Sequence, residues 1–162
     1  IRDRPGAVEG RLGALTYEEC LAVLALLRGP SRIPEPGGMW FSGEPVAWIA
    51  DNQRKGISPR GVGVTIHAGA GYSRTHWQAD DETVAGQLFE AVAPWLPSQT
   101  AQYQVHRWRY SKPSTLYGQA SIFLDEPGPW VLAGDALVAP RMEGAFLSGL
   151  SAAEALLAWL GR

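Results

Sequence analysis

A single cysteine stands in a chain of 162 residues, so no internal disulfide can staple the fold, and no Cys/His set has the spacing of zinc ligands. That cysteine usage, with no signal peptide visible, points to a reducing cytoplasm, and no metal is expected. Neither sign of charge dominates: 16 acidic residues face 14 basic ones for a net charge of −2. The basic stripe that neutralises phosphate backbones is therefore missing, which argues against a nucleic-acid partner. No apolar run, Cys20 to Leu27 included, approaches the roughly 20 residues needed to span a bilayer, and no membrane partner is expected. Signatures of common chemistries are also absent. Gly61-Val62-Gly63 continues into a strand and Gly69-Ala70-Gly71 lacks the third glycine of G-x-G-x-x-G; there is no Walker loop, no G-x-S-x-G elbow and no H-E-x-x-H. The histidines His67, His76 and His106 have no evident partner in the sequence, so no side chain is assigned as catalytic.

What is present is a globular composition, 46% hydrophobic and 19% charged, which excludes a disordered chain. Its length suits one compact domain or a piece of something larger. The opening Ile1 and a stretch to Gly6 without a visible start of an element read as a piece of a longer open reading frame. Seven tryptophans occur where about two or three are usual for this size, suggesting aromatic surface for packing or stacking.

Residues 16–30 admit two readings. Thr16 with Glu19 makes a capping box and Gly29-Pro30 a stop, which suits a helix, whereas the unbroken apolar run suits a strand buried on both faces. Residues 31–38 read as a connector, and Met39 to Ala50 as a hairpin turning at Ser42-Gly43. A basic loop spans Asn52 to Gly61. Val62, Val64 and Ile66 alternate with Gly63, Thr65 and His67, the period of a strand with one apolar face, so His67 points with the polar face. Acids at 80–82 and apolar residues Val84, Leu88, Ala91 and Val92 predict a helix over about 81–93. Gln102 to Tyr110 reads as a strand, with Tyr103 and Val105 on one parity and His106, Trp108 and Tyr110 on the other. Trp130 to Ala133 reads as a short buried strand ending at Gly134-Asp135. A loop with Pro140 follows, and then a helix opens at Glu143 whose Gly144, Ala145, Ser148, Gly149, Ala152 and Ala153 form a flat face. A helix start of this kind favours negative charge by about 0.3–1 kcal/mol.

The stretch Val131-Leu132-Ala133-Gly134-Asp135, followed by Arg141 to Gly149, resembles the C-terminal FAD-closing motif of flavin-containing amine oxidases. Val105 to Tyr110, Ala47 to Asn52 with Lys55-Gly56, and His67-Ala68 before Tyr72-Ser73 resemble the renalase-like branch, although the 52–60 loop departs from that branch's usual Ser-Ser-Lys-Pro-Gly. The resemblance runs from Tyr17 onward and tips residues 17–27 towards strand. It implies an α+β fold in which residues 1–129 form a substrate-binding domain, a mainly antiparallel sheet with a few helices. Residues 130–162 would supply the last strand and helix of an FAD-binding domain whose N-terminal dinucleotide-binding part, the expected partner, is absent from this chain.

By the same resemblance the cofactor is FAD. Gly134 and Asp135 would lie at a ribityl hydroxyl, and the backbone at Glu143, Gly144 and Ala145 at the flavin pyrimidine edge. Trp48, Lys55, His67, Trp108 and Tyr110 would contact a small-molecule substrate, with Lys55 or Arg107 as the nearby cation. The implied chemistry is hydride transfer from a reduced nicotinamide isomer or an amine to flavin, with reoxidation by oxygen; the isolated fragment would be inactive. The alternative is a stand-alone binding or interaction domain that has lost its FAD half.

Overall fold

The computed structural model describes residues 5–97, 99–125 and 128–161. In chain order the elements are α1 (Pro5–Gly13), β1 (Tyr17–Leu27), β2 (Gly38–Trp40), β3 (Val46–Asp51), β4 (Val62–Ala68), α2 (Ala70–Thr75), α3 (Asp81–Ala91), β5 (Thr100–Pro113), β6 (Ile122–Leu124), β7 (Trp130–Leu132), α4 (Asp135–Val138) and α5 (Met142–Trp159), with a 3₁₀ turn at Ala93–Trp95. This is the expected α+β class. Five strands form one sheet in the order β2-β3-β4-β1-β5, and β6 and β7 form a two-stranded antiparallel ribbon. The described residues divide into two compact units, Glu19–Arg109 and, separately, residues up to Glu18 with those from Tyr110 onward.

The Glu19–Arg109 unit is a sheet covered on one side by helices. Register sets the sides: Ala22 and Trp48 both pair with His67, and Val23 and Ile49 both pair with Ile66. Residues opposite one another share a face. Leu21, Val23, Ile49, Val64 and Ile66 therefore point to the side where Val84, Leu88 and Val92 of the α3 segment arrive, and all of these are essentially fully buried. Each such aliphatic chain contributes about 1.5–3 kcal/mol on leaving water.

That packing resolves the two readings of residues 16–30 in favour of strand. β1 lies between β4 and β5, with Leu21, Val23 and Ala25 buried in the helix-side core, and with Ala22 buried, Leu24 half-buried and Leu26 exposed on the other face. Thr16 caps no helix; its hydroxyl meets Ser114 Oγ at 2.8 Å and its carbonyl accepts Ser114 N–H at 2.9 Å. The α3 helix starts where its acids predict, with Asp80 accepting the Thr83 N–H at 2.8 Å. It ends at Ala91, two residues short of the expected stop, and passes into the 3₁₀ turn. β5 is longer than predicted, extending to Thr100 and Pro113.

The second unit corrects several expectations. An element does begin before Gly6: α1 starts at Pro5, where proline's fixed φ and missing N–H suit the first helical position. Part of the loop after Asp135 is the single turn α4, and Ile122–Leu124 forms the unpredicted strand β6. β7 is not a buried strand, because Trp130 is 58% exposed and Val131 and Leu132 are half-buried. Val8, Tyr117, Ile122 and Leu137 form this unit's core. Arg11 lies 3.8 Å over the Tyr117 ring centre and donates to the Tyr117 carbonyl at 2.7 Å, fastening α1 to the segment after β5.

Candidate functional site

The sheet's two faces differ sharply in cover. Along β5, Tyr103 packs edge-on against Phe89 of α3, Val105 joins the helix-side core, and Arg107 donates to the Trp77 carbonyl at 3.2 Å, the Ala79 carbonyl at 2.6 Å and Asp81 at 2.6 Å. The odd residues thus face the helices. The even residues Gln102, Gln104, His106 and Trp108 face the uncovered side, as strand alternation requires. Arg107, one of the two cations expected near a substrate, is therefore on the covered face and already fully engaged. The expectation that it could serve in place of Lys55 fails for that reason.

The uncovered face carries an aromatic cluster. Trp48 and His67 are directly paired across β3 and β4, with ring centres 5.1 Å apart. Trp40 on β2 stands 6.2 Å from Trp48 and is 80% exposed. The Lys55 ammonium lies 5.1 Å from the Trp48 ring centre, within the range of cation–π attraction. His67 is held below its usual pKa, first by burial and then by the charge of Lys55; both disfavour a second positive charge. Trp108 shares this face but lies two strands from His67, beside His106 at 4.3 Å. Beside Thr65 the same face opens into a concavity of about 570 Å³ lined by Leu24, Leu26, Asn52, Gly63, Gln102 and Gln104. Of the five substrate residues predicted from sequence, Trp48, Lys55 and His67 are brought into one cluster, and Trp108 shares their face at a distance. Tyr110 belongs to the other unit, packed edge-on against Tyr17 at 5.6 Å.

A buried carboxylate shapes the loop that presents Lys55. Asp51, 2% exposed, accepts the Gln53 and Arg54 N–H groups at 2.9 and 3.0 Å and the Ser31 hydroxyl at 2.5 Å. The Lys55 N–H returns to the Asp51 carbonyl at 3.1 Å. Gly37, at φ +93°, lets the Lys55 stem pass closely, since a Cβ there would lie 3.2 Å from Lys55 Cγ and 2.9 Å from Arg54 Cβ. Sequence reasoning overlooked Asp51 as a positioning group; an aspartate just before a basic, glycine-containing turn is the signal that could have found it.

The predicted cofactor residues lie in the second unit. Gly134 follows β7 at φ +157° with open space where a Cβ would point, and its N–H donates to the fully buried Ser148 hydroxyl at 2.8 Å. Asp135 opens α4, and Glu143, Gly144 and Ala145 lie in the first turn of α5, where no side chain caps the helix. Its leading N–H groups thus lack a capping acceptor. Of the predicted flat face, Gly144 and Ser148 are buried, Ala145, Gly149 and Ala153 are exposed and Ala152 is half-buried. Gly144 has a packing reason to be glycine, because a Cβ would collide with the Ala139 carbonyl. Replacing Gly144 with a bulky residue therefore reports on folding as much as on flavin. Outward from α5 stand Met142 at 92% and Phe146 at 70% exposure, with Leu150, an apolar strip of the kind that marks a covered surface.

With this geometry in place, comparison with known families gives one finding: the family model described as flavin containing amine oxidoreductase matches residues 15–157.

Proposed function

Because the chain belongs to the flavin containing amine oxidoreductase family, and so to flavin-dependent oxidoreductases, we propose that it forms the substrate-side sheet and a flavin-edge strand and helix of a renalase-like FAD enzyme. The observation that carries this reading is the one-sided sheet, helices on one face and, on the other, half-buried Trp48 and His67 with exposed Trp108. A surface of that kind suits a flat, partly apolar reactant.

The flavin residues fit the group they would hold. Gly134, with its glycine-only backbone and open space beside it, and Asp135 would meet the ribityl chain. The uncapped start of α5 at Glu143, Gly144 and Ala145 would offer backbone N–H groups and the positive dipole end to the electron-rich pyrimidine edge. Bound FAD would supply the hydride-accepting ring and its reoxidation by oxygen. The chain's own residues bind and orient the donor, exclude water and hold the local charge, so no side-chain acid or base is required.

In this reading residues 1–129 are mainly substrate-side and 130–162 complete the FAD domain. The dinucleotide-binding part of the same protein is the partner, and it would cover the apolar strip of α5. Among the described residues no helix is long and apolar enough to cross a membrane, and the single buried Cys20 supports a reducing cytoplasmic setting.

The test is the visible absorbance of the purified full gene product. Flavin bands that bleach anaerobically with a reduced nicotinamide isomer or a primary amine are the expected result. A folded, colourless protein that takes up no added FAD would refute the enzyme reading and leave a stand-alone binding domain.

A further inference from the structure

The uncovered face of the Glu19–Arg109 unit carries the Lys55 ammonium beside the Trp48 ring. Arg54, beside Lys55 in sequence, is paired with Glu35 at 2.9 Å and approaches Asp51 at 3.8 Å. Arg107 is engaged on the opposite face by Asp81. Lys55 has no carboxylate partner among the described residues, and its ammonium rests over Trp48. Within this unit register and alternation give the strand positions on this face, Trp40, Trp48, Thr65, His67, Gln104 and Trp108 among them. None is acidic. The acids nearest in sequence are spent elsewhere: Asp51 caps the 52–54 turn from the helix side, and Glu44 accepts the Gly71 and Tyr72 N–H groups.

We propose that Lys55, Trp48 and His67 form a subsite for a planar anion, a flat ring bearing a carboxylate or a phosphate, and that the face discriminates against cationic amines. Trp48 supplies the aromatic wall, Lys55, lying over that ring, the countercharge, and His67 a neutral imidazole able to donate one hydrogen bond. His67 is held below its usual pKa by burial and by the Lys55 charge, so the imidazole is neutral and Lys55 is the countercharge in this cluster. The half-buried Gly63 and the Asn52–Thr65 hydrogen bond, 3.0 Å long, leave a neutral floor beside the cluster for the remainder of the ligand. The proposal rests on the reading of this face as the substrate side, and it chooses among donors by charge.

The experiment uses three probes of one ring size on the purified full protein: nicotinate as planar anion, nicotinamide as its neutral counterpart and benzylamine as planar cation. Affinity is read by calorimetry, and contact by the imidazole resonances of His67 in NMR. Nicotinate is expected to bind roughly tenfold tighter than nicotinamide, the size of one charge-assisted hydrogen bond, to move the His67 resonances and to weaken as salt rises. Benzylamine is expected to leave His67 unmoved. Lys55→Met, which removes an exposed charge and keeps the stem, should abolish the preference for nicotinate while the far-UV and thermal profiles stay the same. Equal or tighter benzylamine binding, an anion preference that survives Lys55→Met, or nicotinate binding that leaves His67 undisturbed would each overturn the proposal. No flavin is needed for these readouts, so a colourless protein with intact anion preference would refute the enzyme reading alone, and a flavoprotein without the preference would refute the subsite alone.

Discussion

Asp51 is the buried charge on which the Lys55 loop depends, and its removal makes a quantitative prediction. Asp51→Ala strips the acceptor from the Ser31 hydroxyl and from the Gln53 and Arg54 N–H groups. Ser31 is 5% exposed, so its orphaned donor costs about 1–3 kcal/mol. The two turn N–H groups are nearer water and lose about 0.5–1 kcal/mol each, giving a total of about 3 kcal/mol. Asp51→Asn keeps one amide oxygen for the turn, and its cost, about 1–2 kcal/mol, lies in the Ser31 bond and the lost charge. The Arg54 contact at 3.8 Å adds little because Arg54 is well exposed. Urea unfolding followed by tryptophan fluorescence measures both variants, with the midpoint moving and the slope unchanged. At roughly 2–4 °C per kcal/mol for a chain of this size, Asp51→Ala should lower the Tm by about 6–12 °C. An alanine variant within about 0.5 kcal/mol of the parent, or an asparagine variant as unstable as alanine, would refute the assignment of three satisfied donors to this carboxylate.

His67 should make stability fall in acid. Its folded pKa lies below the unfolded value, so both states are neutral above about pH 6.5, and stability is lost as pH drops from there through the folded pKa because the unfolded chain takes the proton first. Comparing His67→Gln with the parent between pH 8 and 5, at about those limits, should show a flatter curve for the variant, and parallel curves would count against the shift. Asp80 acts lower on the scale: its hydrogen bonds from Thr83 depress its pKa, so the stability it contributes is present above the unfolded carboxylate range and lost as pH falls through the folded pKa. Asp80→Ala should remove that acid-limb loss, while Asp80→Asn should keep the helix cap; equal behaviour of the two would contradict the capping role. Gly144→Val should cost about 1–3 kcal/mol by driving α5 off Ala139, read as a lower thermal midpoint, and an unchanged midpoint would show that the close approach is not required. Glu44→Ala and Gly69→Ala should be non-additive, by about 0.5 kcal/mol or more, because a Cβ at Gly69 collides with the Glu44 carboxylate that caps α2; a strictly additive double mutant would argue that the two do not meet.

Much of this architecture is legible before any coordinates. The alternation in Val62–Ala68 reports a strand with one covered face, and the acids before Val84 report a helix start, because both follow from local hydrogen bonding and periodicity. The resemblance to flavin-containing amine oxidases read from the sequence agrees with the family match over residues 15–157. The parity of β5 is equally plain, with Arg107 and Arg109 opposite Trp108.

Tertiary structure alone decided which parity is covered. Residues 17–27 became a strand because β1 took an interior position between β4 and β5, where Leu21, Val23 and Ala25 enter the helix-side core. A run of eight apolar residues encodes that demand without encoding its partner. Lys55 and Arg107 are equivalent on paper, yet one stands over Trp48 and the other is bound by Asp81 on the helix side. Local sequence sets how side chains alternate; long-range packing sets which of the alternating sets meets water, and that second choice determines where this chain can meet a ligand.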